Sequence, residues 1–404
     1  MTNHPFSVSQ STVKLIPVSN PPNPFDRQRL DSSADYLGDW SPEAGDGDEP
    51  PERGGPDRGQ ALRVFEDHSR SILSKNDSPD LAMRFSVNPY RGCYHGCAYC
   101  YARPTHEYLG FGAGTDFERV IVIKPLAAEL LREALRKKSW QHEMIVFSGV
   151  TDCYQPLEAH YQLTRQCLQV CVEEKNPVGI ITKSALIERD IDLLVELNRV
   201  AGASVTISIP FADDKMARKI EPYATPPSRR FKIVERLSAA GLSVGVNVAP
   251  VIPGLSDSQI PEIVERAAAA GAKRLGMILV RLPGSVRPVF QERITQHFPL
   301  AVSKILARTR EVRGGKLNDP NFGTRMSGAG EYASSIERLM QVSAARFGLS
   351  YGTMTDALKS GGEAELADVY ATGAAGLKRA TSRPELKPAR KHRDDTGQLE
   401  LIFR

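Results

Sequence analysis

The middle of this 404-residue chain alternates short β-branched runs with longer segments of helical period, and that alternation is its tightest constraint. Strands are predicted at residues 120–123, 144–147, 179–182, 204–209, 243–249 and 274–280, with a further strand near 83–86. Helices are predicted at 126–138, 161–174, 190–201, 227–240, 257–270 and 299–312, and again at 335–347. A strand followed by a helix, repeated, builds a parallel sheet with right-handed crossovers. About six such units suit an α/β fold, a partial (β/α)6 TIM-like barrel. In such barrels the chemistry gathers at the C-terminal ends of the strands.

The two ends of the chain read differently. Residues 41–60 are dense in Pro, Gly and charge, with almost nothing to bury. The division expected is a poorly ordered extension over 1–80 and a barrel over 81–290. A mostly helical extension over 291–360 and a charged flexible tail over 361–404 follow. The net charge of +4 is too small to argue for nucleic acid or a membrane. No apolar run approaches the roughly 20 residues of a membrane helix, and the first ten residues do not read as a secretory leader. The expected location is the cytoplasm.

Of six cysteines, three fall within eight residues, in Asn88-Pro-Tyr-Arg-Gly-Cys93-Tyr-His-Gly-Cys97-Ala-Tyr-Cys100-Tyr101. That is no disulfide scaffold; in a cytosolic chain it points to metal or redox chemistry. Three close thiolates suit a soft centre such as an iron–sulfur cluster. A cubane has four irons, so three cysteines leave one iron open to chelate another molecule and pass it an electron. Structural zinc wants four closed ligands, usually as paired halves. No matching distal pair stands out, and His95 lies inside the loop. Cys167 and Cys171, four apart on a predicted helix, read as a core-facing stripe more simply than as part of a second cluster with Cys153.

With an aromatic residue, Tyr99, just before the last cysteine, this spacing resembles the signature of the radical S-adenosylmethionine (SAM) superfamily. The resemblance spans residues 80–290. It implies a 4Fe–4S cluster on Cys93, Cys97 and Cys100, with SAM bound at the open iron. It also implies cleavage of SAM to methionine and a 5′-deoxyadenosyl radical, and an electron donor of the flavodoxin or ferredoxin class. Later strand ends match one at a time. Ser148 and Gly149 resemble the segment that meets the methionine amino group, where glycine permits close backbone approach. Lys183 suits the SAM carboxylate as a point charge, Ser208 the ribose, and the loop from Asn247 to Gly254 the adenine. Glu221 and Arg230 lie near that face, with Arg230 expected on the solvated surface.

Within the superfamily, Tyr99, Ser148, Lys183 and Ser208 resemble the spore photoproduct lyase branch and its DNA-repair-photolyase-like bacterial relatives. The branch implies a lesion-like DNA substrate and lyase chemistry. One departure matters: the lyase places a hydrogen-donating cysteine immediately before that serine, and here Phe147 stands there. Cys153 is the nearest replacement thiol, against the commoner fate of a buried structural one. Beyond the barrel, residues 317–332 suit a lid, with Arg325 offered to a phosphate, or a plain connecting loop.

The chain ends in Gln398-Leu-Glu-Leu401-Ile-Phe403-Arg404. Gln398, Leu401 and Phe403 resemble the short peptide by which bacterial proteins dock on the replication sliding clamp; a tail folding back on the domain is the alternative. Three readings stand open: radical SAM chemistry on nucleic acid, radical SAM chemistry on a protein, peptide or small molecule, and a non-catalytic iron–sulfur protein associated with DNA or the clamp.

Overall fold

The computed structural model describes residues 62–352, Ala82 excepted. The expected tails, including Gln398, Leu401 and Phe403, lie outside the described residues. Eleven strands are formed: β1 (Arg63–Glu66), β2 (Leu73–Lys75), β3 (Phe85–Val87), β4 (Tyr90–Arg91), β5 (Val120–Ile123), β6 (Ile145–Phe147), β7 (Val178–Thr182), β8 (Ala203–Ser208), β9 (Ser243–Val251), β10 (Arg274–Leu279) and β11 (Ser350–Tyr351).

Six of them, β3, β6, β7, β8, β9 and β10, pair in parallel and in sequence order. The antiparallel β2 flanks one end of this sheet and the parallel β11 the other. Strand neighbours that follow chain order, each joined through helix, give the partial barrel expected from the alternation. Ile145, Val146 and Phe147 of β6 are all buried, as strands covered on both faces must be. The covering helices carry apolar stripes: Ala127–Leu135 buries Ala127, Ala128, Leu131 and Leu135, and Ile260–Ala269 buries Ile260, Ile263, Val264 and Ala267. Side chains of both sets join one continuous core with the strands.

Three expectations need correcting. The predicted strand at 120–123 forms, but in a separate three-stranded sheet ordered β1–β5–β4. Its Ile121 and Ile123 pack on Leu62, Val64, Tyr90, Leu157 and Leu163, a satellite core beside the barrel. Residues 62–80, read from composition as part of a poorly ordered extension, carry β1 and β2, because Leu62, Val64 and Ile72 find buried places. Helices Asp214–Ile220 and Val286–His297 were not anticipated; the first is short and polar, the second keeps a buried Arg293 among its apolar residues. Among the described residues no helix is long and apolar enough to cross a membrane.

The open sheet is bridged on its unpaired side. Asp80, in the β2–β3 connection, accepts the backbone N–H of Gly323 at 2.7 Å and pairs with the Arg325 guanidinium. Arg325 also donates to Ser78 and lies over the Phe322 ring. The arginine offered to a phosphate by the sequence is therefore already neutralised. Arg313 anchors the same segment to β10, donating to the carbonyls of Thr324, Arg325, Leu279 and Val280.

Candidate active site

The cysteine loop runs from β4 across the C-terminal ends of the barrel strands. Its entry demands glycine: Gly92 has φ +77°, and a Cβ there would lie 2.7 Å from the Val120 carbonyl oxygen. The Cys93 N–H donates to the Phe117 carbonyl at 2.9 Å, and Ala98 N–H to the Ile220 carbonyl at 2.9 Å. At the centre lies Arg103, fully buried. Its guanidinium donates to the carbonyls of Gly96, Cys97, Ala113 and Gly114, and pairs with Glu118 at 2.5 Å. Its flat face lies over the Phe117 ring at 5.2 Å. Backbone carbonyls of the loop and of Ala113 and Gly114 thus converge on one cation.

Behind the loop His106 is buried between Phe111 and Phe117, with ring centroids 5.4 and 5.6 Å away. Burial pulls its pKa down to about 4. An unfolded histidine titrates near 6.5, so as pH falls the unfolded chain takes up this proton first. The resulting stability is complete above about pH 6.5 and is lost toward pH 4, an amount on the order of 2–3 kcal/mol. Urea unfolding of His106→Leu is therefore expected to show a shallower loss of stability between pH 7.5 and 4.5 than the parent. Equal slopes would remove His106 from the acid response.

The three thiols are buried or nearly so, and Cys100 packs against the clusters that contain Cys93 and Cys97. Burial pushes the Cys97 thiol well up, and the charges of Glu221, Cys93 and Cys100 add to that while Lys183 opposes it. Burial and Cys93 likewise raise Cys100. Binding as thiolates would therefore need a cationic centre to offset that burial. Among the described residues no three His, Cys, Asp or Glu side chains converge on a single-ion point. A four-iron cluster takes thiolates at separate corners, and the three cysteines of this loop could each hold one.

His95 is not turned to a ligand role. Its Nδ1 lies 3.4 Å from Asp152, on the loop after β6. Burial works against a charged ring, but Cys93 and Asp152 overcome it and raise His95 to about 10. Asp152 is in turn held by the Thr182 hydroxyl at 2.6 Å and the Lys183 N–H at 2.8 Å. Despite its burial, His95 and these donors hold its carboxyl well below the usual range. A chain of contacts therefore runs from the end of β7 through Asp152 and His95 to Cys93.

A second chain starts at Tyr99. Its hydroxyl donates to Glu221, Glu221 pairs with Arg230 at 2.5 Å, and Arg230 donates to the Ser208 carbonyl at 3.0 Å. Arg230 is fully buried, contrary to the solvated position expected for it, because Glu221 and two carbonyls occupy its fork. The Lys183 Nζ stands 5.7 Å from the Tyr99 ring centroid. Asn247 pairs in register with Ser208 on the neighbouring strand. Ser148 and Gly149 both have positive φ, +140° and +139°, a conformation that is costly for serine. The Ser148 hydroxyl donates to the Thr151 carbonyl, and the Gly149 carbonyl accepts the Tyr101 hydroxyl at 2.7 Å. Tyr99 thus lies in the cysteine loop, Ser148 and Gly149 just after β6, Lys183 just after β7, Ser208 at the end of β8 and Asn247 beside it within β9.

Cys153 is fully buried in the main core with Cys167 and Cys171, its Sγ against the Phe147 carbonyl at 3.8 Å. Burial pushes its thiol well up. The replacement donor suggested by the sequence is a structural thiol. His95, Asp152, Arg103 and Glu118 carried no periodic signal; only their nearness to the cysteines and to a strand end hinted at them.

The sequence profile of the radical SAM superfamily matches residues 87–267. An uncharacterized protein of Mycobacterium tuberculosis is 38% identical over 257 residues, covering 63% of this chain and 74% of that one. The chain belongs to the radical SAM superfamily. Radical SAM proteins use a 4Fe–4S cluster and SAM, and these are its cofactors. The radical SAM Nα-GlyT isomerase of Pseudomonas phage M6 is 24% identical over 292 residues, 72% of this chain and 57% of that protein. Spore photoproduct lyase complexed with dinucleoside spore photoproduct superposes with a TM-score of 0.52 at 15% identity, over 72% of this chain and 81% of that one. At that identity the likeness is one of fold, and it agrees with the partial barrel of this radical SAM chain.

Proposed function

We propose that Cys93, Cys97 and Cys100 hold the 4Fe–4S cluster, and that this radical SAM enzyme acts on a nucleic-acid substrate resembling a DNA lesion. The observation that carries the first half is the three cysteines of one loop, buried or nearly so and packed together beside the segments that follow β6 and β7. When bound, the cluster supplies the electron that splits SAM into methionine and a 5′-deoxyadenosyl radical. The chain supplies position. Gly149 lets the backbone approach the methionine amino group. Lys183 meets the carboxylate as a compact charge. Ser208 would meet the ribose and Asn247 the adenine. The Asp152–His95 pair donates toward Cys93 and fixes the loop that carries it. The reductant is a flavodoxin- or ferredoxin-class protein.

Support for the nucleic-acid half comes from the structural likeness. The lyase of like fold is complexed with dinucleoside spore photoproduct. The spore-lesion reaction itself is not assigned. Phe147 is buried where that reaction needs a thiol, and Cys153, Cys167 and Cys171 are sealed in the core. Any hydrogen returned to the substrate radical therefore comes from a group other than a cysteine.

Anaerobic reduction of the reconstituted enzyme with SAM is expected to yield 5′-deoxyadenosine, and deuterated oligonucleotides are expected to pass label into it. No 5′-deoxyadenosine would overturn the enzymatic reading. Label entering from peptides but never from oligonucleotides would overturn the choice of substrate.

A further inference from the structure

Arg281 follows the end of β10 by two residues, at the same end of the sheet as the cysteine loop. Its backbone neighbour is fixed, since Val280 N–H donates to the Val251 carbonyl at 2.9 Å. The guanidinium is not. Its Nε is buried without a hydrogen-bond partner, and its one contact is with the Met326 sulfur at 3.6 Å, a weak acceptor. It has no ion pair among the described residues. A buried guanidinium nitrogen without a partner is costly; Arg313 also leaves its Nε unpaired, but its other nitrogens reach four carbonyls, whereas Arg281 reaches only the Met326 sulfur. Arg325 is neutralised by Asp80, and Arg313 is consumed by four carbonyls. Asp319 is engaged by Thr324 and Asn321. Unlike Arg313 and Arg325, Arg281 therefore meets no oxygen acceptor among the described residues.

Two exposed aromatic side chains stand near it. Tyr101 is 55% exposed, lies within electrostatic reach of Arg281, and is fixed by its bond to the Gly149 carbonyl. Phe322 is 58% exposed and lies under Arg325, which itself lies within electrostatic reach of Arg281. A free guanidinium fork suits a phosphodiester, and exposed rings suit the faces of bases. A carboxylate-bearing small molecule would use the fork but leave both rings idle.

We infer that Arg281 binds a backbone phosphate of the substrate, with Tyr101 and Phe322 offering stacking faces to the bases beside it. This rests on the nucleic-acid reading above and names its anchor. The test uses the full reconstituted chain with SAM and a short fluorescein-labelled single-stranded oligothymidylate, followed by anisotropy under anaerobic conditions. Arg281→Gln is expected to weaken binding by about tenfold and to lower the salt slope by about one, while Arg281→Lys recovers part of the loss. An oligonucleotide with neutral methylphosphonate links should bind the parent more weakly and discriminate less between parent and Arg281→Gln. The cluster absorbance and SAM affinity of Arg281→Gln should match the parent. If the parent binds the oligonucleotide and Arg281→Gln binds it equally, the anchor is wrong and the nucleic-acid reading stands. If the parent does not bind it, the nucleic-acid reading falls and takes the anchor with it. Loss of SAM affinity in Arg281→Gln would assign the residue to the cofactor instead and overturn the proposal.

Discussion

Cys97→Ala, reconstituted anaerobically with iron and sulfide, is expected to fall from about four irons per chain to well below one. Its 5′-deoxyadenosine yield should drop by roughly a thousandfold or more. The reason is geometric. The three thiols come from one braced loop, so losing one removes a third of the ligands proposed for the cluster. Far-UV circular dichroism should stay unchanged, because Cys97 adds little to the main core. Cys167→Ala provides the contrast: that thiol is buried in the main core, so iron content should hold while stability drops by about 1 kcal/mol. Iron retained in Cys97→Ala, or lost equally in Cys167→Ala, would overturn the ligand assignment.

Arg103→Met is expected to be among the most damaging substitutions outside the cysteines. It strands the Glu118 carboxylate, itself only 5% exposed, and unties the loop carbonyls of Gly96 and Cys97 from those of Ala113 and Gly114. Removing one member of such a pair costs about 3–5 kcal/mol, since the other is left charged and buried. Denaturant midpoints should show that loss, and iron incorporation should become incomplete because the loop is no longer fixed. Adding Glu118→Gln to Arg103→Met should restore part of the stability, since the stranded charge is gone. A single variant with the parent's midpoint and iron content would show that the arginine does not brace the loop.

Much of the barrel was legible because its strands carry recognisable patterns, a β-branched run in β7 and alternating burial in β8 and β10, with helical stripes between them. The cysteine loop was legible for a different reason, since its spacing is local. What stayed hidden depends on contacts between distant positions. Arg103, Arg230 and Arg325 look in sequence like three ordinary surface arginines, and arginine is mostly exposed. Each is instead closed by a carboxylate elsewhere: Glu118, Glu221 and Asp80. The run Val120–Ile123 carries a strand's pattern, but nothing in that pattern says which sheet it joins. Cys153 was misplaced because nearness to a strand end does not say which way a side chain points, and this one points into the core.

The Asp80–Arg325 bridge joins positions 245 residues apart. A chain emerging from the ribosome N-terminus first makes its local and early contacts long before that one. Cys93, Cys97, Cys100, Arg103 and Glu118 are all present, and Glu221 and Arg230 soon after, while residue 325 is still to be synthesised. Biosynthesis therefore passes through a stage in which the braced thiols exist and the bridge across the sheet's open side does not.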